Sequence, residues 1–282
     1  MEGKIVLVTG GSSGIGKAAA LEFARQGAEV IILCRKQERG QQALAELKKE
    51  SRNQQVHLIQ ADLSLLEDVR RSAEEIKRQF PRLDVLINNA GMVPRGQELT
   101  AEGLEVSWVT NYLSAFMLTN LLTDQLLAAE QGRIINVTSE AHRLGEIDFS
   151  DLATRRKYTS YTAYCDAKLA LLHFTYEMAR RIEFTSLTCN CVHPGRVASN
   201  FGRSCDPFLR WTMALYRPFL PKPANAARTL LYLASDPELA HVNGQYFKKT
   251  KAVPSSASSY NLHISRRLWD VSVKQTGLVE VS

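Results

Sequence analysis

Short runs of β-branched and other apolar residues alternate along the chain with longer stretches in which apolar positions recur every three or four residues. The short runs lie at 5–8, 30–33, 56–59, 85–87, 134–137 and 187–192. Helical spacing fills the intervals, which predicts right-handed βαβ units and an α/β fold whose parallel sheet is covered on both faces. Ligands of such sheets bind beyond the carboxyl ends of the strands, so the residues after each run form the candidate site. Residues 161–182 read as a long helix with apolar positions at Leu169, Leu172, Phe174 and Met178, and 113–129 read as another. A Pro/Ser-rich loop over 252–259 leads to a final helix near 264–275. No internal repeat or linker interrupts the pattern, and one domain over 1–282 is expected.

Composition changes this picture little. Hydrophobic residues make up 45% and charged residues 23%, a balance that buries a large core. The five cysteines are scattered and contain no C-x-x-C pair, so they suggest reduced thiols in a cytoplasmic protein rather than a disulfide framework or zinc site. Stretch 113–129 carries Asn120 and Asp124 and falls short of a membrane span. The strand expected from residue 4 leaves no room before it for a signal peptide or anchor. Net charge is +6, but the basic residues are dispersed in pairs such as Lys48-Lys49 and Arg180-Arg181, as on solvated helix faces, so no nucleic-acid partner is expected.

The first strand runs into Thr9-Gly10-Gly11-Ser12-Ser13-Gly14-Ile15-Gly16-Lys17, and good helix formers follow. Glycines permit a tight turn there, and the free amides of a helix N-terminus attract a pyrophosphate. A tight turn needs glycine with or without a ligand, and it is the strand before and the helix after that favour a cofactor. The second strand ends at Leu33-Cys34-Arg35-Lys36. An acidic residue at this place selects the ribose hydroxyls of NAD, and an arginine suits the 2′-phosphate of NADP. No carboxylate occupies it, so Arg35 and Lys36 point to NADP(H).

The spacing G-x-x-x-G-x-G resembles the T-G-x-x-x-G-I-G motif of short-chain dehydrogenases/reductases, and the likeness continues in order along nearly the whole chain. Asp62-Leu63 resembles the family's adenine-side pair, and Asn88-Asn89-Ala90-Gly91 matches its motif after the fourth strand. Asn111, Ser139, Tyr164 with Lys168, and Pro194-Gly195 follow, with Val197 and Ser199 where the family anchors the nicotinamide carboxamide. The resemblance implies a Rossmann-like doubly wound parallel sheet of about seven strands. It also implies hydride transfer between a nicotinamide and a carbonyl or alcohol, with Tyr164 and Lys168 touching the cofactor as well.

Tyr164 and Lys168 are four residues apart, on one face of a helix. A cation about 4 Å from a phenol at an effective dielectric near 20 supplies the roughly 4 kcal/mol that a three-unit fall in tyrosine pKa requires. Lys168 is thus sufficient in principle to lower the Tyr164 pKa, helped by the positive charge of oxidised nicotinamide. Ser139 is expected to hydrogen-bond the substrate oxygen, with Thr138 as its rival. Asn111 is a poor helix former in an apolar stretch, and the resemblance gives it a water relay to the lysine.

Residues 196–223 carry Phe208, Trp211 and Phe219 interleaved with Arg203, Arg210 and Arg217. They suit a small helical lid over a lipophilic pocket, a helix lying peripherally on an intracellular membrane, or plain core packing. Ala141-His142-Arg143-Leu144-Gly145, the Ala163-Tyr164-Cys165 context and Arg267-Leu268-Trp269 resemble the retinol dehydrogenase-related branch. That resemblance implies a retinal-, fatty-aldehyde- or steroid-like substrate. Residues 248–282 read as a C-terminal extension, and helices 113–129 and 164–182 are the ones the family uses for homodimers, a surface that the extension is placed to cover in part. The competing reading is a non-catalytic NADP-binding sensor or scaffold, which usually lacks the tyrosine, lysine or serine. A sugar-nucleotide epimerase shares Y-x-x-x-K but usually shows G-x-x-G-x-x-G and a larger C-terminal domain.

Overall fold

Each apolar run forms a strand: β1 (Ile5–Thr9), β2 (Glu29–Cys34), β3 (Val56–Gln60), β4 (Val85–Asn88), β5 (Arg133–Val137) and β6 (Thr188–His193). The computed structural model describes residues 1–152, 158–195 and 223–279. Two short strands, β7 (Tyr246–Lys248) and β8 (Lys251–Ala252), widen the sheet to eight strands where about seven were expected. The order is β3-β2-β1-β4-β5-β6-β7-β8, parallel as far as β7, with β8 turning back antiparallel. Three- and two-residue strands carrying lysines leave no apolar run for the pattern to show.

Period-two alternation sorts the strand side chains between two helical layers. Val6, Val8, Val30, Ile32 and Ile87 face α1 (Gly14–Arg25), α2 (Gln37–Ser51) and α8 (Pro223–Ser235). Leu7, Ile31, Leu33, Leu86 and Ile134 face the other layer. That layer is built from α3 (Leu66–Gln79), α4 (Val106–Trp108), α5 (Ser114–Leu121), α6 (Thr123–Leu127), α7 (Ser160–Arg181) and α9 (Leu262–Thr276). The stretch expected as one helix at 113–129 is divided into α5 and α6, and a π-helical turn, Val109–Leu113, joins α4 to α5.

The last helix belongs to this second layer. Trp269 packs edge-on against Phe116 at 4.9 Å, with Phe174 at 6.0 Å and the Arg181 guanidinium over its ring at 4.0 Å. Tyr112 shares a hydrogen bond with Ser272 (2.7 Å), and Trp108 Nε1 donates to Gln275 (3.2 Å). Residues 248–279 thus supply a sheet edge and part of the core, across α4, α5 and α7. The proposed lid at 196–223 lies outside the described residues up to Pro223, which opens α8.

Candidate active site

Strand order reverses between β1 and β4, and their ends meet where the glycine turn begins. Thr9 Oγ1 accepts from the amides of Asn89 and Ala90, each at 2.9 Å, and Asn89 Nδ2 donates to the Thr9 carbonyl at 2.8 Å. Gly10 and Gly14 take positive φ (+67° and +57°), and a Cβ on Gly16 would stand 2.5 Å from both Asn89 Nδ2 and the Gly10 carbonyl oxygen. The turn then enters α1, whose N-cap, Ser13, makes no side-chain capping bond and whose first turn has no acid. Those open amides fit an anion. Ile15 leans on the core and Ser12 bonds the buried Cys34 thiol, anchoring the turn to β2.

Arg35 follows β2 with its side chain 60% exposed, 3.8 Å from Asp62. Lys36, also exposed, is the N-cap of α2. Asp62 accepts from the amide and hydroxyl of Ser64 (3.0 and 2.7 Å), shaping the turn in which Leu63 is buried. The strand ends thus set an open helix terminus beside two basic side chains, a donor set that fits a dinucleotide phosphate. Pro194 and Gly195 close β6, while Val197 and Ser199 lie outside the described residues.

Beyond β5, Ser139 caps a 3₁₀ turn, Glu140–Leu144, with its hydroxyl accepting from the Ala141 amide at 3.2 Å and hydrogen-bonded to Tyr164. Thr138 instead donates its hydroxyl to the Lys168 carbonyl at 3.2 Å. Of the two hydroxyls, Ser139 is the one that meets the phenol. A Thr159/Thr162 capping box starts α7, which brings Tyr164 and Lys168 to the same place. The Lys168 ammonium, 4% exposed, donates to the Val137 carbonyl at 2.9 Å and lies 5.7 Å from the Tyr164 ring centroid.

Within the protein itself the tyrosine shift runs upward. Burial outweighs the hydrogen bond from Ser139 and pushes the Tyr164 phenol above its ordinary range. Burial also brings Lys168 down to about 8. Sequence spacing places a cation near the ring but does not reveal that both groups are desolvated, nor that the ammonium is shared with Val137. Tyr164 is accordingly a phenol in the protein by itself.

Asn111 sits in the π-helical turn. Its Oδ1 accepts from the Met92 amide at 2.9 Å, and its Nδ2 faces the Met92 carbonyl, the Ser107 carbonyl and Ser107 Oγ, each at 2.9 Å. A Cβ on Gly91 would stand 2.8 Å from Asn111 Oδ1 and 3.5 Å from Lys168 Nζ, so glycine lets these two groups share one corner. Sequence reasoning missed Ser107 and the buried Glu105, whose carboxylate caps the turn before Asn111 through the amides of Ser107 and Trp108. An acid ahead of a polar-then-apolar run was the available signal. It also missed the buried ladder in which Asn88 donates to Asn136 and Asn136 to Thr175.

The short chain dehydrogenase family model matches residues 4–208, and the chain belongs to that family. Within it, the chain falls in the retinol dehydrogenase-related branch: it is 39% identical to human retinol dehydrogenase 13, covering 98% of this chain and 85% of the relative. Identity to human retinol dehydrogenase 11 is also 39%, covering 99% and 87%. Among solved structures, a protein from Mycobacterium paratuberculosis superposes with a TM-score of 0.80 at 31% identity, covering 98% of this chain and 94% of that one. A short chain dehydrogenase from Shigella flexneri, complexed with NADP, gives 0.71 at 25% identity, covering 89% and 98%.

Proposed function

We propose that this oxidoreductase uses NADP(H) to interconvert a lipophilic aldehyde or ketone, of the retinal, fatty-aldehyde or steroid type, with its alcohol. The observation that carries the reading is the buried, protonated Tyr164 phenol, hydrogen-bonded to Ser139 and set beside the Lys168 ammonium. The glycine turn, the open N-terminus of α1, Arg35 and Lys36 would hold NADPH, which when bound would supply the hydride. Ser139 and Tyr164 together hold the substrate oxygen, and the Tyr164 hydroxyl gives the proton that oxygen needs. The Lys168 ammonium offsets the phenolate left behind, and Asn111 orders the corner through which a proton returns to it. The side chains whose loss would mark a non-catalytic sensor or scaffold are all present and converge.

Arg35, Lys36 and the NADP-bound relative support NADP(H). Val93 and Ala141, packed around Tyr164, give an apolar wall; this and the names of the relatives support a lipophilic substrate. No helix among the described residues is long and apolar enough to cross a membrane. We therefore place the protein in the cytoplasm or peripherally on an intracellular membrane.

Retinal, decanal and a steroid ketone assayed by NADPH absorbance should give turnover with at least one of them. NADPH should be preferred over NADH, and Arg35→Ala should raise the KM for NADPH while leaving that for NADH unmoved. Equal inactivity across the panel, or an equal or better kcat/KM with NADH, overturns the corresponding part of the reading.

The Lys168 value also fixes a pH dependence. Reduction needs the ammonium, which is present below its folded pKa and lost above it. Reductive kcat/KM should therefore be level through neutrality and fall as pH rises through about 8. A profile level to pH 10 would remove Lys168 from this role.

A further inference from the structure

The turn that carries Ser139 is held from behind by the C-terminal segment, through one histidine. His142 is fully buried, with its Nδ1 2.6 Å from the Ser139 carbonyl oxygen. On the other side of the ring, the Ser256 amide donates to Nε2 at 3.2 Å. An amide nitrogen can only donate, so Nε2 carries the lone pair and the proton sits on Nδ1, where it donates to Ser139. Burial pushes this histidine's pKa down, in keeping with a neutral ring.

The surroundings fix the ring further. Tyr246 meets it edge-on at 5.2 Å and gives its own hydroxyl to Glu140 at 2.5 Å, while Arg143 donates to the Pro254 carbonyl at 3.0 Å. The residues flanking Ser139 are thereby tied to β7 and to the segment before α9. The Ser139 carbonyl also receives the His142 amide at 3.1 Å, so turning that peptide to redirect the hydroxyl breaks two hydrogen bonds.

We propose that His142 is a positioning residue for the reaction: through the Ser139 carbonyl it aims the serine hydroxyl at Tyr164, and through Ser256 it makes that aim depend on the C-terminal segment. The inference rests on the reading of Ser139 as the hydroxyl that meets the substrate oxygen. Both ring nitrogens of His142 are taken by protein partners, so it acts through Ser139 and not on the reacting atoms. Its effect belongs in kcat, since misplacing a reacting group by about an ångström costs up to about 100-fold.

The test uses the full chain, NADPH and whichever carbonyl of the panel is turned over fastest. His142→Phe should lower kcat between about 10- and 100-fold, with the KM for NADPH within about twofold of the parent. His142→Asn places an amide nitrogen where Nδ1 stood and should recover most of that loss, whereas His142→Gln presents its amide at the Nε2 end and should not. If the phenylalanine variant fails to fold, the asparagine and glutamine variants carry the comparison. In a Ser139→Ala background, His142→Phe should cost nothing further in kcat, because the hydroxyl it aims is gone. Equal recovery by Asn and Gln, or the same loss from His142→Phe in both backgrounds, overturns the proposal. Full activity in Ser139→Ala alone instead defeats the reading of Ser139, and the role of His142 falls with it.

Discussion

Tyr164→Phe should abolish turnover and leave dinucleotide affinity within about twofold of the parent. The substitution removes one oxygen from a side chain that is 6% exposed and keeps its ring among Val93, Ala141 and Cys165. Ser139 loses its hydrogen bond to the phenol but keeps the one from the Ala141 amide, so the turn persists. The glycine turn, Arg35 and the open end of α1 are untouched. What disappears is the group that hands a proton to the developing alkoxide, a contribution of about 100- to 10,000-fold. The loss should appear in kcat, with dinucleotide fluorescence titration unchanged and the melting temperature close to the parent's. Retention of more than a few per cent of kcat would show that the proton comes from elsewhere.

The second large effect concerns stability. Trp269→Ala removes the ring that fills the space between Phe116, Phe174 and the Arg181 guanidinium. Truncating a buried aromatic of this size costs about 3 to 5 kcal/mol, and in a chain of this length each kcal/mol moves the melting temperature by about 2 to 4 °C. The midpoint should therefore fall by roughly 10 °C, measured by circular dichroism. Trp269→Phe, which refills part of the volume, should lose much less. A change of under about 2 °C for the alanine variant would mean that α9 is not part of the cooperative unit.

Six strands and the motifs at their ends were legible because both depend on local features. Runs such as 30–33 are apolar throughout, as a parallel strand buried on both faces requires. Thr9, Asn89, Ser139 and Tyr164 were readable because each follows a strand or begins a helix at a fixed spacing. Three things were not local and so did not show. The π-helical turn at Val109–Leu113 holds Asn111 against Met92, 19 residues earlier, a contact that the helical spacing of that stretch does not signal. The sign of the Tyr164 shift depends on burial by packed neighbours, and spacing gives only the nearness of Lys168. The link from Ser139 to Ser256 passes through His142, which lies 114 residues from Ser256. The short lysine-bearing strands β7 and β8 carry too few apolar positions to rise above the surrounding loop.

The placement of α9 bears on quaternary structure. Tyr112, Phe116 and Phe174, on the flank where a second subunit was expected to dock, already have Ser272 and Trp269 of their own chain against them. A neighbouring copy approaching that flank meets the outward face of α9, with Arg266 and Asp270 exposed on it. A copy docking on that flank would therefore meet α9 before it met Phe116 or Phe174.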